Sequence, residues 1–429
     1  MWKALLDRAL RRLIVTGSLG ITWPDKTTTV YGKTNKITPD PVIQARIHDP
    51  DLPRRLIFSP DKALGDAYTD GHLTLKNDDL DGLLALLLRN RQLGHTTLLM
   101  DAVRRISNPL QHTLARNPLR KSRENAAHHY NLSSKLYDLF LDSDRQYSCA
   151  YFSDPEMSLD AAQEAKKHHI ARKLCIRPGD RILDIGCGWG GMALTLAKDY
   201  GVRVVGITLS DEQHRIALAR VDAAGLSDRI EIRLQDYRDV QGPYERIVSV
   251  GMLEHVGAPH FQDYFAKVRD LLTSDGVALI HTIGTATPPR ATSAWIRANI
   301  FPGGYLPAMS EIQRAVEGNR LCTTDVEVLR FHYAYTLHHW RKRFEAHTNE
   351  VRTLYDDRFV RMWRYYLTAS ERSFIDERLV VFQFQLASDK KNVPLTRDYL
   401  YSDTQEREVA ERLYPGRFHV QGERQLESV

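Results

Sequence analysis

Residues 184–191 read DIGCGWGG, and Gly186, Gly188 and Gly191 satisfy G-x-G-x-x-G, a spacing that lets a backbone turn approach a nucleotide closely. Asp184 stands two residues before the first glycine. A dinucleotide would bring an anionic pyrophosphate to this turn and would want an acid for its ribose about 20 residues later. Here the next strand-like run ends GITLS, no acid follows before Asp211, and Asp184 would face the pyrophosphate unfavourably. S-adenosylmethionine fits better. It has no phosphate, and its sulfonium and α-ammonium are cations that a carboxylate a few ångströms away attracts. Thr208, Leu209 and Ser210 stand where the ribose would lie, with Gln213 one turn into the next helix. In LQDYRD (234–239), Gln235 and Asp236 are polar groups for the adenine amine, and Tyr237 is counted with them. Asp and Ser also favour caps and turns, so each of these residues taken singly has a second reading.

The elements that must position them alternate. Ser158 reads as the N-cap of a helix, LDAAQEAKKHHIARKL. Then follow a strand at 181–185, a helix at 190–200, strand VRVVGIT, a helix at 211–224, strands RIEIRL and RIVSVG, a helix at 260–272 and strand VALIHTI. Strands alternating with helices predict an α/β fold with a mostly parallel sheet covered on both faces, and ligands bound beyond the strands' carboxyl ends. An aromatic, proline- and glycine-rich insert at about 285–325 interrupts the pattern and reads as a lid or binding loop. Strand-like DVEVLRFHYAY, two helical segments (336–355 and 357–377) and strand LVVFQFQLA follow.

Upstream, SLGITW and TTTVYG flank the turn residues PDK as a hairpin, RRLIF reads as a further strand before a turn at SPD, and LDGLLALLLRN reads as a helix. These predict a smaller α+β domain over 1–105, a basic linker over 106–124, a catalytic domain over 125–390 and a charged, peripheral tail over 391–429. Within 429 residues, 42% are hydrophobic and 26% charged, and the net charge is +5. That is ordinary globular composition, and the charge is too small and too local to favour nucleic acid. The longest apolar run, LLALLL, is far short of a membrane span. Cys149, Cys175, Cys187 and Cys322 show no C-x-x-C spacing, so no metal and no disulfide framework is expected and a reducing cytoplasm fits. The first 13 residues form a basic amphipathic helix pattern, and Arg104, Arg105, Arg116, Arg120, Lys121 and Arg123 occur without an acid between them. Both suit an anionic lipid surface, although the helix has core packing, and the run a solvated linker, as its simpler explanation.

The series DRQYSCAYF (144–152), LDIGCGWGG, VVGITLS, LQDYRD, RIVSVGMLEHVG and HTIG (281–284), in that order, resembles the cyclopropane-fatty-acyl-phospholipid synthase family, relatives of the mycolic acid cyclopropane synthases. The resemblance covers about 125–390, and the first third is similar to the extra domain of the bacterial phospholipid enzymes. It implies a Rossmann-like class I methyltransferase that moves a methyl group from S-adenosylmethionine to a cis double bond in a phospholipid acyl chain. It also implies a bicarbonate ion as general base, with Cys149, Glu254, His281, Ile283 and Tyr333 at the matching positions, Ile283 through its backbone. Tyr335 is the rival of Tyr333, and His255 is read as structural. Tyr147 and Ser148 match positions that touch the cofactor. Trp189, Phe301, Tyr305 and Tyr151 are candidates for the acyl tunnel, with core packing as the equal alternative. Two departures stand out: HYNLSSKLY (129–137) differs from the family's pattern there, and Ser370 replaces a cysteine often found in the YYL helix. The implied partners are unsaturated phospholipid and the inner face of the membrane, met peripherally from the cytoplasm, with a homodimer also considered.

Other outcomes stay open. The same carbocation gives a methyl-branched or methylidene chain if it loses a different proton or is reduced. A small-molecule methyltransferase and a lipid carrier without turnover are the remaining alternatives.

Overall fold

The computed structural model describes residues 1–33, 42–93 and 133–401. The basic run from Arg104 to Arg123 and residues 402–429 of the tail lie outside the described residues.

The chain opens with α1 (Trp2–Leu13), whose Leu6 and Leu10 are buried, so core packing accounts for most of its apolar face. The hairpin forms as expected from β1 (Gly17–Thr22) and β2 (Thr28–Lys33). Strand β3 (Ile43–Ile47) joins β1 in parallel, and β4 (Leu73–Leu75) completes a sheet of order β2-β1-β3-β4. RRLIF is not a strand. It lies in α2 (Leu52–Phe58), where Pro53 sits in the first turn, the place in a helix that tolerates proline. The expected turn at SPD is likewise the start of α3 (Pro60–Thr69). Helix α4 (Leu80–Gln92) is capped by Asp79, whose carboxylate accepts from the Gly82 amide.

After α5 (Ser134–Phe140), Ser158 caps α6 (Leu159–Lys173) as its sequence position predicts, its hydroxyl accepting from the Ala161 amide at 3.2 Å. The alternation then runs β5 (Arg181–Ile185), α7 (Gly191–Tyr200), β6 (Arg203–Thr208), α8 (Asp211–Ala223), β7 (Ile230–Leu234), β8 (Tyr244–Val250), α9 (Phe261–Leu271) and β9 (Leu272–Thr285). The insert carries two helices, α10 (Ala294–Asn299) and α11 (Met309–Gly318), and leads into β10 (Cys322–Leu329). The predicted strand stops at Leu329. The residues HYAY instead begin α12 (His332–Ala346), followed by α13 (Thr348–Leu354), α14 (Asp357–Asp376) and β11 (Leu379–Ala387). The seven strands order as β10-β11-β9-β8-β5-β6-β7, with β5 to β9 parallel and β10 and β11 antiparallel. The tail is less peripheral than expected up to Tyr401: Leu400 is buried, and the Tyr399 hydroxyl accepts from Gln385 on β11.

The first ninety residues dock on α14 and on the insert. Arg358, Arg364 and Arg372 of α14 pair with Asp70, Asp78 and Asp81. Asp61 at the start of α3 accepts from the Ser293 hydroxyl and the Trp295 amide, which holds the first turn of α10. Trp295 is fully buried against Gly65, where a Cβ would collide with its indole.

Candidate active site

The carboxyl ends of the parallel strands share one edge of the sheet, and a cleft opens there. Every residue expected to touch the cofactor lines it: Tyr147, Ser148, Asp184, Gly186, Gly188, Thr208, Leu209, Ser210, Gln213, Gln235, Asp236 and Tyr237. Gly186 and Gly188 take positive φ values, +85° and +56°, which only glycine adopts freely, and so turn the chain out of β5 beneath the cleft. The third glycine of the pattern does something else. A Cβ on Gly191 would strike Asp144 and Gln146, so its missing side chain makes room for the 144–149 segment.

Several of these residues are caps as well as cleft walls. Ser210 caps α8 by accepting from the Gln213 amide, the Thr208 hydroxyl donates to Gln213 Oε1 at 2.9 Å, and Asp236 caps the short turn 237–239. Two carboxylate oxygens are left over: Asp184 Oδ2 and Asp236 Oδ2 are buried without a hydrogen-bond partner. Burial pushes the Asp184 carboxyl up to about 7, against the pull of the Lys166 ammonium. An orphaned acceptor whose charge is destabilised by burial suits a cationic or donor-rich ligand. The donor set therefore fits S-adenosylmethionine, with Asp184 for its cationic amino-acid end.

Sequence reading missed the support beneath this cleft. The fully buried Lys166 of α6 donates to Gln146 Oε1 at 2.6 Å and to the Ser148 hydroxyl at 2.9 Å, and burial lowers it to about 8. Asp144 is gripped by Lys167 and Arg220, and Arg220 also donates to the Trp189 carbonyl at 2.8 Å, tying the glycine turn to the 144–149 segment. Asp144, Gln146 and Met252 line the cleft, and so does His255, whose ring burial lowers to about 4. For Asp144 and Gln146 the usable signal was their place in the DRQYSCAYF run.

The five residues matching the bicarbonate ligands lie beside the cleft rather than in its wall. Glu254 and Ile283 are joined directly: the Ile283 amide donates to Glu254 Oε1 at 2.6 Å. The backbone N–H expected to face an anion is thus taken by the neighbouring carboxylate. Glu254 Oε2 is buried without a hydrogen-bond partner, and burial pushes the carboxyl up to about 7 although the Ile283 amide lowers it. His281, two residues back on β9, is buried and held well below its ordinary pKa, by burial first and by the nearby Lys166 and Lys173 charges after it. Cys149 is a buried thiol whose pKa burial pushes up, its Sγ 3.3 Å from the Ala150 carbonyl. Tyr333, in the first turn of α12, is 7% exposed and meets Trp340 edge-on, whereas Tyr335 is 39% exposed and packs on Phe152. A neutral imidazole, a phenol and a carboxyl that retains its proton up to about pH 7 together supply donors and one shared proton, while the Cys149 thiol donates to the Ala150 carbonyl. That set fits bicarbonate.

Of the tunnel candidates, Trp189 belongs to the large aromatic cluster with Tyr333 and Cys149, and Phe301 packs against it. Tyr151 also packs against that cluster, stacked between His169 and His332. Tyr305 belongs to a second core cluster, where its amide donates to the Glu254 carbonyl and its hydroxyl to Glu311.

Comparison with known proteins decides the lineage. Residues 117–384 match the family described as Mycolic acid cyclopropane synthetase. The chain belongs to that family. It is 37% identical over 354 residues to the cyclopropane-fatty-acyl-phospholipid synthase of Escherichia coli strain K12, covering 81% of this chain and 88% of that protein. To a probable fatty acid methyltransferase of Pseudomonas putida it is 35% identical over 375 residues, 85% of this chain and 92% of the relative. The mycolic acid cyclopropane synthase CmaA1, solved in complex with SAH and CTAB, superposes with a TM-score of 0.59 at 33% identity, covering 62% of this chain and 97% of that one. The fold is that of class I methyltransferases, and this member of the cyclopropane synthetase family is an S-adenosylmethionine-dependent methyltransferase.

Proposed function

We propose that this enzyme transfers a methyl group from S-adenosylmethionine to the cis double bond of an unsaturated phospholipid acyl chain and closes a cyclopropane ring. The observation that carries the reading is the likeness to the E. coli phospholipid synthase, which extends over 81% of the chain and therefore reaches well beyond the residues matched to the family. An alkene is a weak nucleophile, so the chain's task is to hold it dry and close to the donor. Tyr147 and Trp189 stand where the cleft meets the aromatic cluster, and their faces suit a passing cation. Bicarbonate, when bound, supplies the base that takes the proton from the added methyl. Around it His281 and Tyr333 donate, and Glu254 holds a shared proton through Oε2 while the Ile283 amide fixes Oε1.

The fatty acid methyltransferase relative supports a second outcome, a methyl-branched or methylidene chain formed through the same cation. Mass spectrometry of lipids from cells with and without the gene separates the two. Cyclopropanation gives a gain of one CH2 with loss of the double bond, whereas a methylidene chain keeps an alkene and a branched chain gains two further hydrogens. No change in either direction overturns the proposal.

Peripheral association with the inner, cytoplasmic face of a membrane belongs to the same reading. Among the described residues no helix is long and apolar enough to cross a bilayer. An exposed stripe of α1 combines Met1 and Leu5 with Arg8 and Arg12, which have no acidic partner among the described residues, and Phe58, 58% exposed, stands beside Trp2. Apolar and cationic groups in one stripe suit an anionic lipid surface. That patch is two residues along the chain from Pro60 and Asp61, where α3 begins to hold the insert.

A further inference from the structure

We propose that Gln383 is a positioning residue for His281: its side-chain amide fixes the imidazole as the Nε2-protonated tautomer, so that the ring offers the anion site a donor instead of an acceptor. The inference rests on the bicarbonate reading for its catalytic meaning but not for its structural content. Gln383 on β11 lies directly opposite His281 on β9 in the antiparallel ladder, and cross-strand partners share a face of the sheet. Both side chains are buried, and Gln383 Nε2 lies 3.1 Å from His281 Nδ1.

A neutral imidazole has one proton, and the hydrogen bond made at one ring nitrogen decides which nitrogen carries it. His281 stays neutral because it is buried and because Lys166 and Lys173, with His169 beside them on α6, add positive charge; Glu327 on β10 opposes them more weakly. With the amide nitrogen donating to Nδ1, the proton must sit on Nε2. The reverse arrangement would leave both N–H donors of the NH2 group unpaired, where the present one pairs one of them and leaves the other with the carbonyl Gln383 Oε1, which has no partner among the described residues. Unpaired carbonyls are the better tolerated of the two. It would also confront an anion with two acceptors, the His281 Nε2 lone pair and the Glu254 carboxyl. Gln385, two residues along the same face of β11, shows the contrast. Its amide donates to the Lys173 carbonyl and the Tyr399 hydroxyl, and its oxygen accepts from Thr324. Gln385 is satisfied by the scaffold, whereas Gln383 meets a histidine at the site.

The test is side-chain nitrogen NMR of the uniformly 15N-labelled full-length enzyme, with His281→Asn to assign the ring, run beside steady-state kinetics. The expected wild-type spectrum shows Nδ1 unprotonated and Nε2 protonated. Gln383→Leu should mix the tautomers and lower kcat ~10–100-fold while leaving the dissociation constant for S-adenosylmethionine within about twofold. Gln383→Glu should invert the tautomer, because a carboxylate demands a proton on Nδ1, and should lose more than Leu despite keeping its polarity. Should the buried glutamate prevent folding, the wild-type spectrum and the Leu variant decide alone. A wild-type His281 that is Nδ1-protonated or cationic, or a folded Leu variant with full kcat, overturns the proposal. Wild-type turnover that is indifferent to bicarbonate depletion would sink the anion reading instead, and would leave the tautomer assignment standing.

Discussion

The two halves of the site are built in opposite ways. Apart from Tyr147 and Ser148, the proposed cofactor half consists of short segments at strand ends, Asp184 to Gly188 at the end of β5, Thr208 to Gln213 at the end of β6 and Gln235 to Tyr237 after β7. Its side chains double as helix and turn caps, so the fold holds them in place whether or not a ligand is present. The proposed acceptor half draws Cys149, Glu254, His281, Tyr333 and Gln383 from positions far apart in the chain, and its buried acceptors, Glu254 Oε2 and Gln383 Oε1, have no hydrogen-bond partner among the described residues. On the proposed reading the first half places the methyl donor, and the second presents polar groups at an aromatic core.

If the halves are separable, Glu254→Gln should give the largest effect. The amide can still accept from the Ile283 N–H but cannot share a mobile proton, so kcat should fall ~10³-fold with cofactor affinity nearly unchanged by calorimetry. Loss of both together would break the division. Asp184→Asn should do the reverse: weaken S-adenosylmethionine binding ~100-fold and leave kcat at saturating cofactor within a few-fold. The pH dependence has a definite sign. With a folded-state pKa of about 7 above the ordinary 3.8, the Asp184 carboxyl keeps its proton in the folded chain where the unfolded chain has lost it. Its contribution to stability is therefore favourable at low pH and is lost as pH rises through about 7. Cofactor affinity should fall as pH drops below about 7, and the ligand-free Asn variant should melt higher than wild type at pH 8, by an amount corresponding to roughly 2–4 kcal/mol. A variant that melts lower would show that the charge is compensated. The smallest effect belongs to the surface. Replacing Arg8 and Arg12 by Ala should weaken binding to anionic vesicles ~10-fold at low salt, with the difference vanishing in high salt and turnover on detergent-dispersed lipid unchanged.

This contrast also explains what the sequence could reveal. Apart from Tyr147 and Ser148, each expected cofactor residue lies within a few positions of a strand end, and strand ends are visible in the apolar periodicity. The pairing of Gln383 with His281 spans 102 residues and depends on the register of β9 with β11, which no local pattern encodes. The fate of two tyrosines turned on one element. Read as a strand, HYAY would place Tyr333 and Tyr335 on the same face, but in the first turn of a helix they lie on opposite sides, one buried and one exposed. RRLIF failed for a related reason, since a five-residue stretch with three apolar residues carries no period long enough to tell strand from helix.

The clasp of Asp61 and Gly65 on Ser293 and Trp295 has a consequence for how such enzymes diversify. The grip comes from outside residues 117–384, the part matched to the family, while the helix it holds lies inside that part. Selection acting on α3 alone can therefore shift the stance of α10 without altering a single residue that lines the cleft.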